Sequence, residues 1–121
     1  MTGVGIDLIE IERLEQALER RPRLAQRLFT ETELANARPR LRPGRHLAAR
    51  FAAKEAAIKA LGVALPAREI EVEGGAREAP TLRLHGRAAA VAADRGLALQ
   101  VSLTHSQEMA AAVVLAEPTG S

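Results

Sequence analysis

The stretch from Arg50 to Gly62 reads R-F-A-A-K-E-A-A-I-K-A-L-G, and it decides the fold. As an α-helix with about 100° between successive residues, this stretch and the turn before it have one apolar face. That face consists of Leu47, Phe51, Ile58 and Leu61. A surface helix would carry charge on the other side, but alanines stand there instead: Ala49, Ala53, Ala56 and Ala60. The pattern therefore predicts a helix that is buried all round.

Charged residues nevertheless remain in this helix. Lys54 falls inside the apolar face, while Glu55 and Lys59 share its edge with the i,i+4 spacing of an ion pair. Burying a charge is costly unless the group is paired or binds a metal or ligand. Two interpretations stay open from this segment alone: an ordinary ion pair with lysine stems lying along the apolar surface, or a binding site.

Length and composition favour one soluble domain. The 121 residues can form a core of their own, so we expect a single domain over 1–116 and a flexible tail over 117–121. Two Phe with no Trp or Tyr make that core thin, and identical subunits packing on the alanine face would compensate. The absence of cysteine excludes disulfides and thiolate metal sites. Without a signal segment or a long apolar run, we expect a cytoplasmic protein that is not bound to membranes.

Positive charge is concentrated in one segment although the net charge is only +2. Between Leu34 and Lys54 no acidic residue appears, and the loop from Arg38 to Gly44 reads R-P-R-L-R-P-G. This loop leads into the central helix, with Arg45 and His46 near the helix start. Such an arrangement favours a partner that carries phosphates or carboxylates. The aromatic residues with which single-strand nucleic-acid binders stack bases are missing.

The N-terminal segment has its own candidate site residue. Gly3 to Ile9 predicts a strand with alternate apolar residues on one side and Asp7 with two glycines on the other. Glycine in a strand often marks close approach of backbone or ligand. Asp7 is therefore either a site residue or the N-cap of the helix that follows.

The remaining elements predict an α+β fold with a mostly antiparallel sheet, in the order β-α-α-α-β-β-α-β-β. An amphipathic helix covers Glu10 to Arg21, and Thr30 with Glu33 forms the capping box of a short second helix. Later segments predict a hairpin over 69–85, a helix over 86–95 and two strands over 97–104 and 109–116.

Two further features have ordinary and functional interpretations. His105, at a strand end beside a turn, is either a surface histidine or a group that binds phosphate or accepts a proton. The first helix and its continuation carry a basic surface that is interspersed with glutamates, which a merely solvated face would also show. The members of this basic surface are Arg13, Arg20, Arg23 and Arg27.

Three sequence blocks together point to a family. The blocks G-V-G-I-D at 3–7, R-F-A-A-K-E-A at 50–56 with K-A-L-G at 59–62, and S-L-T-H-S at 102–106 resemble those of the holo-acyl-carrier-protein synthases, the small stand-alone 4′-phosphopantetheinyl transferases. The resemblance spans nearly the whole chain, roughly from Thr2 to Ala116. It departs after the helix, where relatives usually continue G-T-G and this chain has Gly62-Val63-Ala64.

The resemblance implies a reaction and a set of site residues. Members of this family transfer the 4′-phosphopantetheine group of coenzyme A to a serine of an apo carrier protein, for fatty acid biosynthesis, and release adenosine 3′,5′-bisphosphate. By resemblance, Asp7 and Glu55 would bind Mg²⁺, which is commonly held by one or two carboxylates plus substrate phosphates. The implied coenzyme contacts are Arg45, His46, Arg50, Lys54, Lys59, Gly62 and His105, of which Lys54 and Arg50 could instead be structural.

Catalysis and partners follow from the same resemblance. The attacking serine belongs to the carrier, and its proton could pass through water to Glu55, to metal-bound hydroxide, or to His105; we favour Glu55. The resemblance also implies a homotrimer with sites at subunit boundaries, and an acidic carrier protein docking on the basic surface. The competing interpretation is a non-catalytic module that binds phosphate or RNA, but it gives no reason for Asp7 and Glu55 in apolar elements.

Overall fold

The computed structural model describes residues 2–75 and 77–120. Its elements, in chain order, are β1 (Gly3–Glu10), α1 (Ile11–Arg20), α2 (Leu24–Leu28), α3 (Glu31–Ala37), α4 (Pro43–Leu61), β2 (Ile70–Glu73), β3 (Thr81–Leu84), α5 (Gly86–Arg95), β4 (Leu97–His105) and β5 (Met109–Pro118). The α+β class and the antiparallel pairing are confirmed, with α2 as an additional short helix. Within the described residues, no helix is both long and apolar enough to cross a membrane.

One three-stranded sheet and one hairpin make up the β structure. β5 lies between β1 and β4 and is antiparallel to both, with Asp7 opposite Ala112 and His105 opposite Ala110. β2 and β3 form a separate antiparallel pair. Because alternate residues of a strand face opposite sides of the sheet, this register places Asp7 and His105 on the same side.

Helix α4 lies against that side of the sheet at unusually close range. A Cβ at Gly5 would overlap the carbonyl oxygen of Ala56, and a Cβ at Gly3 would overlap that of Ala60. The glycines of β1 therefore allow the backbones of strand and helix to approach, as the sequence suggested. Eleven residues of α4 are buried, which confirms the prediction of a helix enclosed on all sides.

The expectation that the alanine face of α4 is free to meet another subunit is wrong. Ala49, Ala53 and Ala56 are fully buried within the chain itself. Large apolar side chains are exposed instead on the opposite side of the sheet. These residues, the outer sheet face, are Val4, Ile6 and Leu8 of β1, exposed by 65–69%, and Val113 and Leu115 of β5, exposed by 40–41%.

A buried ion pair fastens α3 to α4. Lys54 has no exposed surface, and its Nζ donates to Oε1 of Glu33 at 2.7 Å and to the carbonyl of Ile70 at 2.6 Å. Glu33 also closes the predicted capping box with Thr30, and its Oε2 accepts from the backbone N–H of Val72. Burial lowers the pKa of Lys54 and the Glu33 carboxylate opposes that shift. Lys54 is thus a core residue, and this corrects the expectation that it contacts the coenzyme.

Two boundaries differ from the sequence-based expectation. β1 continues to Glu10, which is the N-cap position of α1, so Asp7 is not a helix cap. β5 continues to Pro118, and the backbone N–H and hydroxyl of Thr119 both donate to the carbonyl of Gly96. The last strand therefore includes residues 117 and 118, which the sequence analysis assigned to the tail, while Ser121 lies outside the described residues; flexibility of the tail stays a prediction.

Replacing Glu33 by alanine should lower the free energy of unfolding by about 3–5 kcal/mol, because it leaves the Lys54 ammonium buried without its carboxylate. Urea titration followed by circular dichroism measures the change. Glu31→Ala is the matched control, since Glu31 lies on the same helix turn and is exposed. A loss below 1 kcal/mol for Glu33→Ala would show that the ion pair is not a principal support of the fold.

Candidate functional site

Asp7 and Glu55 come together with Lys59 between β1 and α4, and we call this group the carboxylate cluster. Nζ of Lys59 donates to Oδ1 of Asp7 at 3.2 Å and to the carbonyl of Ile6 at 3.0 Å. The i,i+4 ion pair between Glu55 and Lys59, one of the two interpretations left open for this helix, does not form; among the described residues Glu55 has no ion-pair partner within 4.0 Å. Lys59 instead bridges from the helix to the strand.

Glu55 lies in an environment that disfavours its negative charge. Burial raises the pKa of its carboxyl, the charge of Asp7 raises it further, and Lys59 partly offsets both. Two carboxylates placed this close repel each other unless a cation lies nearby. The Lys59 ammonium is such a cation, but it donates to Asp7 and to the carbonyl of Ile6, and among the described residues it makes no ion pair with Glu55.

The donor chemistry of this cluster fits a hard divalent cation. Carboxylate oxygens are the ligands that Mg²⁺ prefers, and one or two suffice when substrate phosphates and waters complete the shell. Within residues 2–75 and 77–120, no group of three or more acidic or histidine side chains is placed to hold a metal. Asp7 and Glu55 are thus a two-carboxylate set, around which waters and substrate phosphates would supply the remaining ligands of a Mg²⁺ ion.

A basic cavity of about 410 Å³, which we call the arginine pocket, lies at the other end of α4. The loop before α4, the first turns of α4 and the end of β4 form its walls. Gly75, beside the hairpin, completes the rim, and the Nη2 of Arg50 donates to the neighbouring Gly74 carbonyl. Its charged or titratable lining consists of Arg40, Arg42, Arg45, His46, Arg50 and His105.

His46 contributes an unsatisfied polar group to this pocket. Its Nε2 is buried and has no hydrogen-bond partner in the part of the chain that the structure describes. Burial, followed by the charges of Arg50 and Arg40, lowers the pKa of His46 from 6.5 to about 4. The imidazole is therefore neutral at neutral pH, and its buried nitrogen is free to bond a ligand.

The two clusters contain most of the sequence-predicted site residues but keep them apart. Glu55 and Arg45 are ten residues apart on one helix, which corresponds to about 15 Å. In the sheet, Asp7 and His105 are two strands and two positions apart, which corresponds to about 12 Å between Cα atoms. Gly62 ends α4 in the left-handed conformation with φ 70°.

Sequence reasoning missed two members of the arginine pocket. Arg40 and Arg42 were recognised as part of an arginine-rich loop, but neither was named as a site residue, although both line the cavity. The acid-free run between Leu34 and Lys54 was the signal that could have identified them.

The basic surface predicted on the first helix is exposed in the fold. Arg13 borders an apolar cavity of about 560 Å³ that includes Leu8, Leu24 and Met109. The other three arginines, Arg20, Arg23 and Arg27, line an adjoining cavity that shares Leu24 with the first. The four arginines therefore border two cavities that meet at Leu24.

Comparison with known proteins supplies the family. A family model described as the 4′-phosphopantetheinyl transferase superfamily matches residues 3–114. The holo-[acyl-carrier-protein] synthase of Moorella thermoacetica is 48% identical over 127 residues, covering 100% of this chain and 98% of that protein. The synthase of Streptomyces coelicolor is 52% identical, covering 95% and 96%. A solved complex of the Chronobacterium ammoniagenes enzyme with coenzyme A is similar at a TM-score of 0.87 and 29% identity, covering 98% of both chains.

The lowered pKa of His46 predicts acid sensitivity of the fold. The folded protein favours neutral imidazole while the unfolded chain binds the proton below pH 6.5, so stability falls as the pH drops from 6.5 towards 4. After allowance for solvent screening of this half-buried ring, we expect a loss of about 1 kcal/mol.

Urea unfolding at pH 7 and pH 4 measures this loss in the wild type and in His46→Phe, which should lack it. Gln26→Ala, which changes an exposed side chain that does not titrate, is the control and should show the same acid loss as the wild type. Equal acid losses in the wild type and His46→Phe would contradict the assignment.

Proposed function

The chain belongs to the 4′-phosphopantetheinyl transferase superfamily, and on that premise we propose that it is a holo-acyl-carrier-protein synthase. It transfers the 4′-phosphopantetheine group of coenzyme A to a serine of an apo-acyl-carrier protein and releases adenosine 3′,5′-bisphosphate. The proposed role is to supply carrier protein for fatty acid biosynthesis. The relatives named above have this enzyme name, and the chain matches them over almost their whole length. A related solved structure contains coenzyme A. The cytoplasmic location expected from the sequence stays a prediction.

The observation that carries the proposal is the carboxylate cluster. Asp7 and Glu55 come from a strand and a helix that glycines hold in close contact, and Lys59 supplies a positive charge beside them. Phosphoryl transfer depends on positioning and on neutralising charge at the phosphates, and it needs no nucleophile from the enzyme when a substrate provides one. The cluster offers this combination of groups.

The side chains of the chain can be assigned roles in the reaction. The carrier serine Oγ forms a new bond to the phosphorus next to the pantetheine, and the bond from that phosphorus to the bridging diphosphate oxygen breaks. Mg²⁺, held by Asp7 and Glu55, would supply Lewis-acid polarisation of the diphosphate. Lys59 would place a point charge against a phosphate.

The proton of the serine needs an acceptor. Glu55 is the acceptor we favour, through a water molecule, because it lies in the carboxylate cluster where the diphosphate is proposed to bind and makes no ion pair with Lys59. His105 is the alternative, but it lies in the arginine pocket and not in the carboxylate cluster. We assign His105, together with Arg45, His46 and Arg50, to binding of the nucleotide end of coenzyme A. Gly62, which ends α4 seven residues after Glu55, stays a predicted coenzyme contact.

Assembly into a homotrimer is part of the proposal. The outer sheet face exposes five large apolar side chains on two adjacent strands, which is typical of a contact surface. Sites at subunit boundaries, as the family resemblance implies, would let one coenzyme contact the carboxylate cluster of one copy and the arginine pocket of another. Sedimentation velocity of the purified protein measures the oligomeric state.

Glu55→Gln should lower the rate of transfer by at least about 100-fold and leave the fold intact, because the change removes a metal-binding charge and keeps the shape. Asp7→Asn should have a similar effect. Mass spectrometry of apo-carrier protein incubated with coenzyme A and Mg²⁺ measures the transfer, and thermal melting checks folding.

Asp94→Asn, an exposed change on α5, is the matched control for these variants and should transfer normally. Near-normal transfer by Glu55→Gln would remove Glu55 from the site. A wild-type protein that adds no mass to any acidic carrier would refute the proposed function itself.

The basic surface around Arg13 and Arg20 is the proposed docking site for the acidic carrier, together with Arg23 and Arg27. Exposed charges of this kind mainly steer the encounter of two proteins and make it salt-dependent. Reversal of Arg13 and Arg20 to Glu should raise the KM for the carrier at least about fivefold and leave the KM for coenzyme A unchanged.

Arg83→Glu with Arg87→Glu is the charge-matched control for this double reversal, since both residues are exposed on other elements. We expect this control to retain the carrier KM of the wild type. Equal carrier KM values for the two double variants would place docking elsewhere.

A further inference from the structure

Arg42 makes three side-chain hydrogen bonds that join separate parts of the chain. Its Nε and Nη2 donate to the two carboxylate oxygens of Glu15 on α1, at 3.0 and 2.9 Å. Its Nη1 donates to the carbonyl of Gln107, in the turn between β4 and β5, at 2.6 Å. Arg42 itself is the residue before the first turn of α4. One guanidinium therefore connects α1, the start of α4 and the β4–β5 turn.

Two further close contacts surround the hydrogen bonds between Glu15 and Arg42. Gly44, in the first turn of α4, lies so close to the Glu15 side chain that any Cβ there would overlap it. The β4–β5 turn is also tied to α1 through the backbone, because the N–H of Ile11 donates to the carbonyl of Glu108 at 2.9 Å. Because the Arg42–Glu15 contact is bidentate, its geometry is fixed more firmly than that of an ordinary surface ion pair.

Each of the elements joined by Arg42 is next to a wall of the arginine pocket. The loop before α4 contributes Arg40 and Arg42 itself, the first turns of α4 contribute Arg45 and His46, and the residue before the turn is His105. Glu15 is not part of that lining. Its hydrogen bonds to Arg42 are its direct link to that lining.

From this arrangement we propose that Glu15 and Arg42 are a positioning pair that sets the shape of the arginine pocket. The proposal rests on the function proposed above, in which this pocket binds the nucleotide end of coenzyme A. Both side chains are about one-third exposed, at 30% for Glu15 and 38% for Arg42, so the pair adds little to global stability. The pair instead fixes the positions of the pocket walls, and those positions determine the affinity for the nucleotide.

Steady-state kinetics of four proteins tests the pair: wild type, Glu15→Gln, Arg42→Ala and the double variant. Glu15→Gln should raise the KM for coenzyme A about fivefold while kcat and the KM for the carrier stay within about twofold of wild type. In the Arg42→Ala background, Glu15→Gln should have no further effect, because the residue through which it acts is gone.

Two additional variants separate geometry from charge. Glu19→Gln removes the same charge from an exposed position one turn further along α1, and it should leave the KM for coenzyme A unchanged. Glu15→Asp keeps the charge but is too short for the bidentate contact, so it should resemble Glu15→Gln. If Glu15→Asp behaves like the wild type, or if Glu19→Gln shares the effect of Glu15→Gln, the positioning role is refuted.

Calorimetric titration with adenosine 3′,5′-bisphosphate distinguishes failure of this inference from failure of the proposed function. Glu15→Gln should bind the bisphosphate about fivefold more weakly than the wild type, with an unchanged melting temperature. Variants that bind it as tightly as the wild type would overturn the positioning pair alone. Absence of phosphopantetheine transfer by the wild type would overturn the proposed function, whereas the binding comparison still decides the role of Glu15.

Discussion

The contact between Lys54 and Glu33 is the constraint on which the rest of the fold depends. It buries one positive and one negative charge together, and its hydrogen bonds reach α3, α4, the turn at Ala67 and β2. A buried pair of this kind adds little net stability compared with apolar packing, but it accepts only one arrangement of its partners. It thereby fixes the rotation of α4. Because neighbouring helix residues point about 100° apart, fixing Lys54 towards α3 turns Glu55 towards β1.

The glycines of β1 bring this strand close to the side of α4 that carries Glu55. Since Gly3 and Gly5 have no Cβ, the strand approaches the backbone of α4 directly, and Asp7 on the same side of the strand arrives beside Glu55. The result is a pair of carboxylates in a partly buried place, where burial and mutual repulsion raise the pKa of Glu55. Such an arrangement is unfavourable for the isolated fold, and groups of this kind cluster where a protein binds a cation or performs acid–base chemistry.

Sequence signals that depend on neighbours were read correctly, and those that depend on distant partners were not. The capping box at Thr30, the glycine that ends α4 and the limits of α5 are all encoded within a few residues. The ion-pair partners of Lys54 and Lys59 were not predicted, because they lie 21 and 52 residues away along the chain. Helical spacing makes Glu55 a possible partner of Lys59, but no local sequence signal shows that Lys59 pairs with Asp7 instead. The apolar side chains of β1 likewise face outward because the glycines on the other side of the strand pack against α4, and this packing is a tertiary effect.

Helix α4 also explains why the basic and acidic clusters are separate. At 19 residues it is about 28 Å long, and it carries Arg45, His46 and Arg50 in its first half and Glu55 with Lys59 in its second. Because a packed helix is rigid, the distance between these groups cannot adjust to a substrate. A ligand that uses both must either extend along the helix or lie between the clusters of two copies. The second arrangement belongs to the homotrimer proposed above, for which the exposed apolar face on the far side of the sheet offers a contact surface.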